Sequence, residues 1–269
     1  MFDLHVHSAP CVLPRRADDA VTVGWYEEAG FSGCVLKGHF EPTAGRAAAA
    51  GAGREVAVYG GIVLNAAVGG FNAAAVEAAL ALGARVVWMP TLDASEHRAR
   101  KLPPSPLAPR AALAVPPVDA AAEPAVSEIL LLVAEADAVL ATGHLSGREC
   151  RWLVREARAA GVKRLLLTHP TFAVPALEAA EVRELCDAGA IAEITAYQIL
   201  RGADPEPLAA LASELGPKRC VLSSDVGQPD SPPAPEALAL LVERLVGCGL
   251  DAGAATAMAS ETPHGLVAP

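Results

Sequence analysis

Short apolar runs rich in Val, Leu, Ile and Ala recur along the chain, alternating with longer stretches whose Ala, Leu and Glu positions follow helical spacing. The runs predict strands over 3–7, 33–37, 56–64, 84–89, 138–142, 163–168, 190–195 and 219–224. The stretches between them predict helices over 18–29, 43–53, 72–82, 124–136, 147–160, 176–188, 204–215 and 235–247. Gly30, Gly83, Gly161, Gly189 and Gly216 stand where helix gives way to strand, and glycine accepts the left-handed conformation that closes a helix.

Eight strand–helix units in unbroken alternation predict an α/β fold, a single (β/α)8 TIM barrel spanning residues 1–269 as one domain. A doubly wound open parallel sheet is the alternative topology. The exception to the alternation is the stretch 91–123, a long loop after strand 4 with prolines at 103, 104, 106, 116 and 117. In a barrel it would lie over the catalytic face as a lid; the competing expectation is a disordered surface insertion.

With 52% hydrophobic but only 4% aromatic residues, the core must be built from Ala, Val and Leu, which suits close helix–sheet packing. The 31 acidic and 21 basic residues give a formal charge of −10, and no Lys/Arg-rich segment offers a footprint for phosphate backbones. Nucleic acid is not expected as a partner. Apolar stretches such as 129–133 and 238–242 are far too short to cross a membrane. The first residues run straight into a polar motif without a secretion signal, so a cytoplasmic protein is expected. The six cysteines are dispersed without a CxxC pair and are expected to be small buried residues. A small-molecule substrate is the expected partner, with self-association left open.

The candidate chemistry lies at the strand ends. His5 and His7 close strand 1, His39 follows strand 2, His144 follows strand 5, His169 follows strand 6, and Asp225 follows strand 8. In a parallel barrel all strand C-termini open onto one face, so these residues are expected to converge. Imidazoles at i and i+2 on a strand project to the same side and can grip one cation. An HxH pair alone could equally be two hydrogen-bonded structural histidines. The polar residues ending strands 5, 6 and 8 favour the metal reading, because nothing else in those apolar strands calls for them.

These strand ends resemble the amidohydrolase superfamily of metal-dependent hydrolases, whose pattern is HxH at strand 1, His at strands 5 and 6, Asp at strand 8, and a bridging Lys or Glu at strand 4. The match covers nearly the whole chain, and looks closest to an uncharacterised branch carrying Asp3-Leu4-His5-Val6-His7-Ser8, Leu36-Lys37-Gly38-His39-Phe40 and Thr142-Gly143-His144-Leu145-Ser146. It implies hydrolysis of an amide, lactone or ester by a metal-activated water, with His5, His7, His144 and His169 as ligands. Asp225 would be both ligand and proton acceptor. One or two divalent ions are implied, zinc first, with Mn, Fe, Co or Ni as alternatives.

The chain departs from the pattern at strand 4, which offers no Lys or Glu. Lys37, His39 and Glu193 are the candidates for a second ion. Lys37 has three readings: a carbamylated bridge displaced to strand 2, a cation for an anionic substrate group, or the ion-pair partner of Glu193. Glu193, inside an apolar strand, is first expected to hold a ligand histidine. Ser8, Arg15 and Arg16 are candidates for substrate contact; His97, Arg98 and Arg100 are expected in solvent, and His264 in a structural terminal helix. The opening motif also resembles PHP-type phosphoesterases, but their closing Asp-x-His is met here only by Asp225. A non-catalytic metal-binding barrel is the third reading.

Overall fold

The strands and helices run in strict alternation through most of the chain, and a computed structural model describes them at residues 1–107 and 110–268. Positions 108 and 109 of the Pro-rich loop, and 269, lie outside the described residues. The chain opens with β1 (Phe2–Val6), α1 (Asp19–Glu28), β2 (Gly33–Leu36), α2 (Ala44–Gly51), β3 (Ala57–Val63), α3 (Ala73–Ala81) and β4 (Ala84–Trp88). It continues with α4 (Ser95–Ala99), α5 (Glu123–Glu135), β5 (Val139–Ala141), α6 (Gly147–Ala159), β6 (Arg164–Leu167) and α7 (Ala179–Asp187). Last come β7 (Ile191–Thr195), α8 (Ala196–Leu200), α9 (Pro205–Leu215), β8 (Cys220–Ser223), α10 (Ala234–Gly247), α11 (Ala252–Met258) and α12 (Glu261–Val267). All eight predicted strands and all eight predicted helices are present, with ends displaced by three residues or fewer.

The strands form one sheet in the order β1 to β8. Val6 makes a parallel bridge to Val226, just beyond β8. That order, with a helix between consecutive strands, is the topology of a (β/α)8 barrel.

The chain divides into two compact units. The first comprises residues 1–37, 45–60 and 191–269. Here β1 pairs with β2 through Phe2 and Gly33, β2 with β3 through Leu36 and Gly60, and β7 with β8 through Thr195 and Ser223. β1 is buried along its whole length, as a parallel strand covered on both faces must be. Asp18 caps α1 by accepting from the Val21 amide, and α10 buries Leu238, Leu241 and Leu245. Each such leucine contributes about 1.5–3 kcal/mol by leaving water. α12 closes this unit by stacking His264 on Phe2 at 5.2 Å, a packing contact.

The second unit comprises residues 38–44 and 61–190, with β4 paired to β5 and β5 to β6. Its largest buried side chain is Trp88, and α5 buries Val126, Ile129, Leu130 and Val133. The loop after β4 carries more structure than its prolines suggested. It holds α4, a 3-10 turn at Ala120–Ala122 and a bridge between Ala94 and Leu113. Glu149 fixes the loop's return: one carboxylate oxygen accepts from the buried Val115 amide at 2.9 Å, the other from Ser146 in the capping box of α6. Of the six cysteines four are buried, but Cys11 is half-buried and Cys248, the C-cap of α10, is exposed. No cysteine forms a disulfide.

Candidate metal centre

Two residues fix where the strand-1 histidines meet Asp225. The Asp225 amide donates to the His5 carbonyl at 2.7 Å, and the His7 amide donates to the Val226 carbonyl at 2.8 Å, so the chain beyond β8 is laced to the end of β1. Asp225 adopts φ 52°, a left-handed conformation that aspartate tolerates better than most residues. Gly227, at φ 130°, lies so close to the His7 carbonyl that a Cβ there would stand 1.9 Å from its oxygen, which only glycine permits.

This lacing brings together one nitrogen of His5, one of His7 and one Asp225 oxygen, all within 4.8 Å of one another and all on buried residues. Asp225 Oδ1 lies 3.0 Å from His5 Nε2 and 3.3 Å from His7 Nε2. Tetrahedral ligands at ~2.0–2.1 Å from an ion are roughly 3.3 Å apart, so the three atoms fit one cation. Both rings are held by their other nitrogen. His5 Nδ1 meets Glu193 Oε1 at 3.1 Å and His7 Nδ1 meets the Lys37 carbonyl at 2.9 Å. An ionised carboxylate and a carbonyl only accept, so both Nδ1 atoms carry a hydrogen and each Nε2 is the nitrogen turned toward Asp225.

Glu193 thus stands at the far side of the His5 ring, where Ser223 Oγ also donates to it at 2.6 Å. The carboxylate grouped with the two imidazoles is Asp225. Lys37 is buried with Nζ 3.0 Å from His5 Nε2. Burial brings its pKa down to about 8, against the pull of Asp225 and Glu193. For His5, burial works against protonation, but the charges of Asp225 and Glu193 outweigh it and raise the pKa to about 9. His7 is driven the other way: burial, then the charge of Arg15, keeps it neutral well below the usual histidine range.

The second unit holds its own histidine cluster. His144 and His169 have ring centroids 5.1 Å apart, and His97 stacks on His144 at 4.9 Å. His97 was expected in solvent, and this is a correction: its ring is buried, tied to His144 Nδ1 at 2.8 Å and to the Pro103 carbonyl at 2.9 Å. α4 lifts His97 out of the loop and turns it inward. Pro103 only accepts, so neutral His97 carries its hydrogen on Nε2 and accepts at Nδ1. Burial lowers the His97 pKa and favours that neutral form. His144 therefore donates from Nδ1, as His169 does to the Val174 carbonyl at 3.1 Å. His7, His144 and His169 thus share one tautomer, with the lone pair on Nε2, and His5 joins them once its Nε2 proton is lost. His39 meets the hydroxyl of Thr91 through Nδ1 at 3.0 Å, and Asn65 donates both to that hydroxyl and to the His39 carbonyl.

Sequence reasoning passed over Asp3, a buried carboxylate that accepts from Tyr26, the Ser224 amide and the His5 amide, pinning the start of the HxH strand. Burial raises its pKa against those hydrogen bonds. The signal was present: an aspartate inside an apolar strand needs partners. His97 carried no such signal, because its partner His144 lies 47 residues away, and the Ser146-x-x-Glu149 spacing announces the cap of α6 but not the Val115 amide 34 residues away.

Residues 1–193 match the sequence model of DUF6282, described as a family of unknown function. No curated protein sequence matches the chain. Among solved structures, the TatD homologue YJJV from Escherichia coli K12 is similar with TM-score 0.62 and 14% identity, over 99% of this chain and 97% of that one. An organophosphorus hydrolase from Deinococcus radiodurans has TM-score 0.64 and 13% identity, over 98% and 92%. An amidohydrolase from Burkholderia multivorans has TM-score 0.61 and 15% identity, over 99% and 98%. The shared feature is the fold, a (β/α)8 barrel.

Proposed function

The chain belongs to DUF6282, a family of unknown function, and from that starting point we propose that it is a metal-dependent hydrolase of small molecules. The observation that carries the reading is the group of His5 Nε2, His7 Nε2 and Asp225 Oδ1, each ring fixed through Nδ1 by an acceptor. The likeness of the fold to an amidohydrolase and an organophosphorus hydrolase supports it. Glu193 is a candidate ligand should a second ion bind, and within the second unit His144, His169 and His39 are candidate ligands on their strand-end positions, the first two with Nδ1 held by a hydrogen bond.

His5, His7 and Asp225 would hold a divalent cation, zinc first, which when bound would supply Lewis acidity to lower a water's pKa and polarise a carbonyl or phosphoryl oxygen. The chain's residues do the rest. Asp225, mostly buried yet the least enclosed of the three, accepts the proton of the attacking water and returns it to the leaving group. Glu193 keeps its hydrogen bond to His5 Nδ1 and so holds that ring's lone pair in place. Lys37 stands beside His5 Nε2 as a group able to take or give a proton. The bond cleaved is proposed to be an amide, lactone or ester.

Metal analysis of purified protein, joined to a screen of amides, lactones, carboxylate esters and phosphate monoesters, tests the proposal. One or two equivalents of divalent ion, with turnover in the first three classes, is the expected result. Protein that takes up no divalent ion would overturn it. Asp225→Asn is expected to abolish turnover, and unchanged turnover with metal still bound would remove Asp225 from the proton-transfer role.

A further inference from the structure

Arg15 presents an edge of its guanidinium that no protein group uses. Its Nε and Nη2 atoms are buried, and neither has a hydrogen-bond partner among the described residues. A guanidinium is always charged and its N–H groups only donate, so two buried, unanswered donors are costly. Nε and Nη2 also lie on the same side of the plane's outline, forming the two-pronged edge that matches the paired oxygens of a carboxylate or phosphoryl group.

The other arginines of the first unit show that this is not for want of acceptors. Arg46 forks onto Asp19 at 2.7 and 2.8 Å, Arg54 pairs with Glu27, and Arg201 with Asp230. Asp19, the carboxylate four residues beyond Arg15, is thereby taken by Arg46 and by Ser8. Asp18 is taken by the cap of α1.

The backbone around Arg15 is fixed to the ends of β1 and β8. Ala9 donates to the Ala17 carbonyl, and the Arg16 amide donates to the Gly227 carbonyl at 2.9 Å, two residues from Asp225. Arg16 adds an Nη1 bond to the Ser231 carbonyl at 2.7 Å. Arg15 is therefore carried on a loop stitched to the segment that presents Asp225 and abuts His7.

We propose that the Nε–Nη2 edge of Arg15 binds an oxyanion, a carboxylate or phosphoryl group, on the molecule processed at the His5–His7–Asp225 group. This rests on the hydrolase reading for its biological sense and narrows the substrate class to anionic small molecules.

The test follows the Arg15 Nε–H resonance in 15N-labelled protein, assigned by its loss in Arg15→Lys, while inorganic phosphate, succinate or neutral succinamide is added. A saturable shift with phosphate or succinate and none with succinamide is expected, and the anion that saturates first identifies the preferred oxyanion. In Arg15→Lys and Arg15→Gln, which lack that resonance, calorimetric titration is expected to show the same anion bound more weakly on the order of tenfold or more. The titration is run on protein as purified and after chelation of metal. A shift persisting without metal places the oxyanion on Arg15 even should the hydrolase reading fail. An Arg15 resonance unmoved by either anion, or equal affinity in wild type and both variants, overturns the proposal.

Discussion

His5 and Glu193 face each other through Nδ1 and Oε1 at 3.1 Å, both fully buried, with Ser223 donating to the same carboxylate oxygen. The contact fixes which His5 nitrogen is turned toward Asp225. Glu193→Ala is therefore expected to weaken metal affinity by about 10–100-fold while His7 and Asp225 remain in place. Competitive chelator titration of wild type and variant measures it, and unchanged affinity would mean that His5 needs no such orientation.

The charges around the same ring set the pH dependence of metal uptake. His5 is held protonated up to about 9, so below that pH a cation must displace its proton. Lys37, with its pKa lowered to about 8, adds a repelling charge as pH falls through that value. Both effects act in one direction: apparent affinity rises with pH and flattens above 9. The expected slope from pH 6.5 to 8 is about tenfold per unit for each proton released. Calorimetry in buffers of different ionisation heat counts the protons directly.

Gly227 is where the geometry of the centre meets a backbone constraint. Any side chain there would strike the His7 carbonyl, and its φ of 130° suits glycine alone. Gly227→Ala is expected to cost about 2–3 kcal/mol, lowering Tm by roughly 5–10 °C, and to reduce metal occupancy by shifting His7. A variant with wild-type Tm and metal content would show that the loop relaxes freely.

The fold was legible because strand burial leaves its mark locally. The apolar runs ending at His5, Lys37, Asp225 and their counterparts are pieces of a two-faced parallel sheet, and their ends are where polar residues become affordable. The His5–His7–Asp225 group was legible for the same reason: strand ends carry the signal, and topology supplies the rest. What escaped the sequence was the inward turn of α4, since Ser95–Ala99 is too short for periodicity and its buried face is a single histidine. The partners that fix tautomers were half visible. Glu193 stood out as a carboxylate in an apolar strand, whereas the carbonyls of Lys37, Pro103 and Val174 are backbone atoms that no residue identity announces.

His97 gives the sharpest test of those tautomers. Its Nε2–H is committed to the Pro103 carbonyl, leaving Nδ1 to accept from His144, whose own Nε2 then keeps its lone pair. His97→Asn retains an acceptor near the Nδ1 position, and His97→Phe retains the stacked ring but no acceptor. A merely structural role predicts that Phe substitutes better, because it preserves the packing of the ring. A tautomer-fixing role predicts the reverse for metal content and for the nitrogen shifts of His144: Asn keeps the Nδ1–H form, and Phe lets the ring sample both. Long-range 1H–15N spectra of the imidazoles resolve the two forms. If His144 in His97→Phe held the wild-type pattern, the relay from Pro103 through His97 would have no part in preparing His144, and the loop carrying α4 would contribute packing alone.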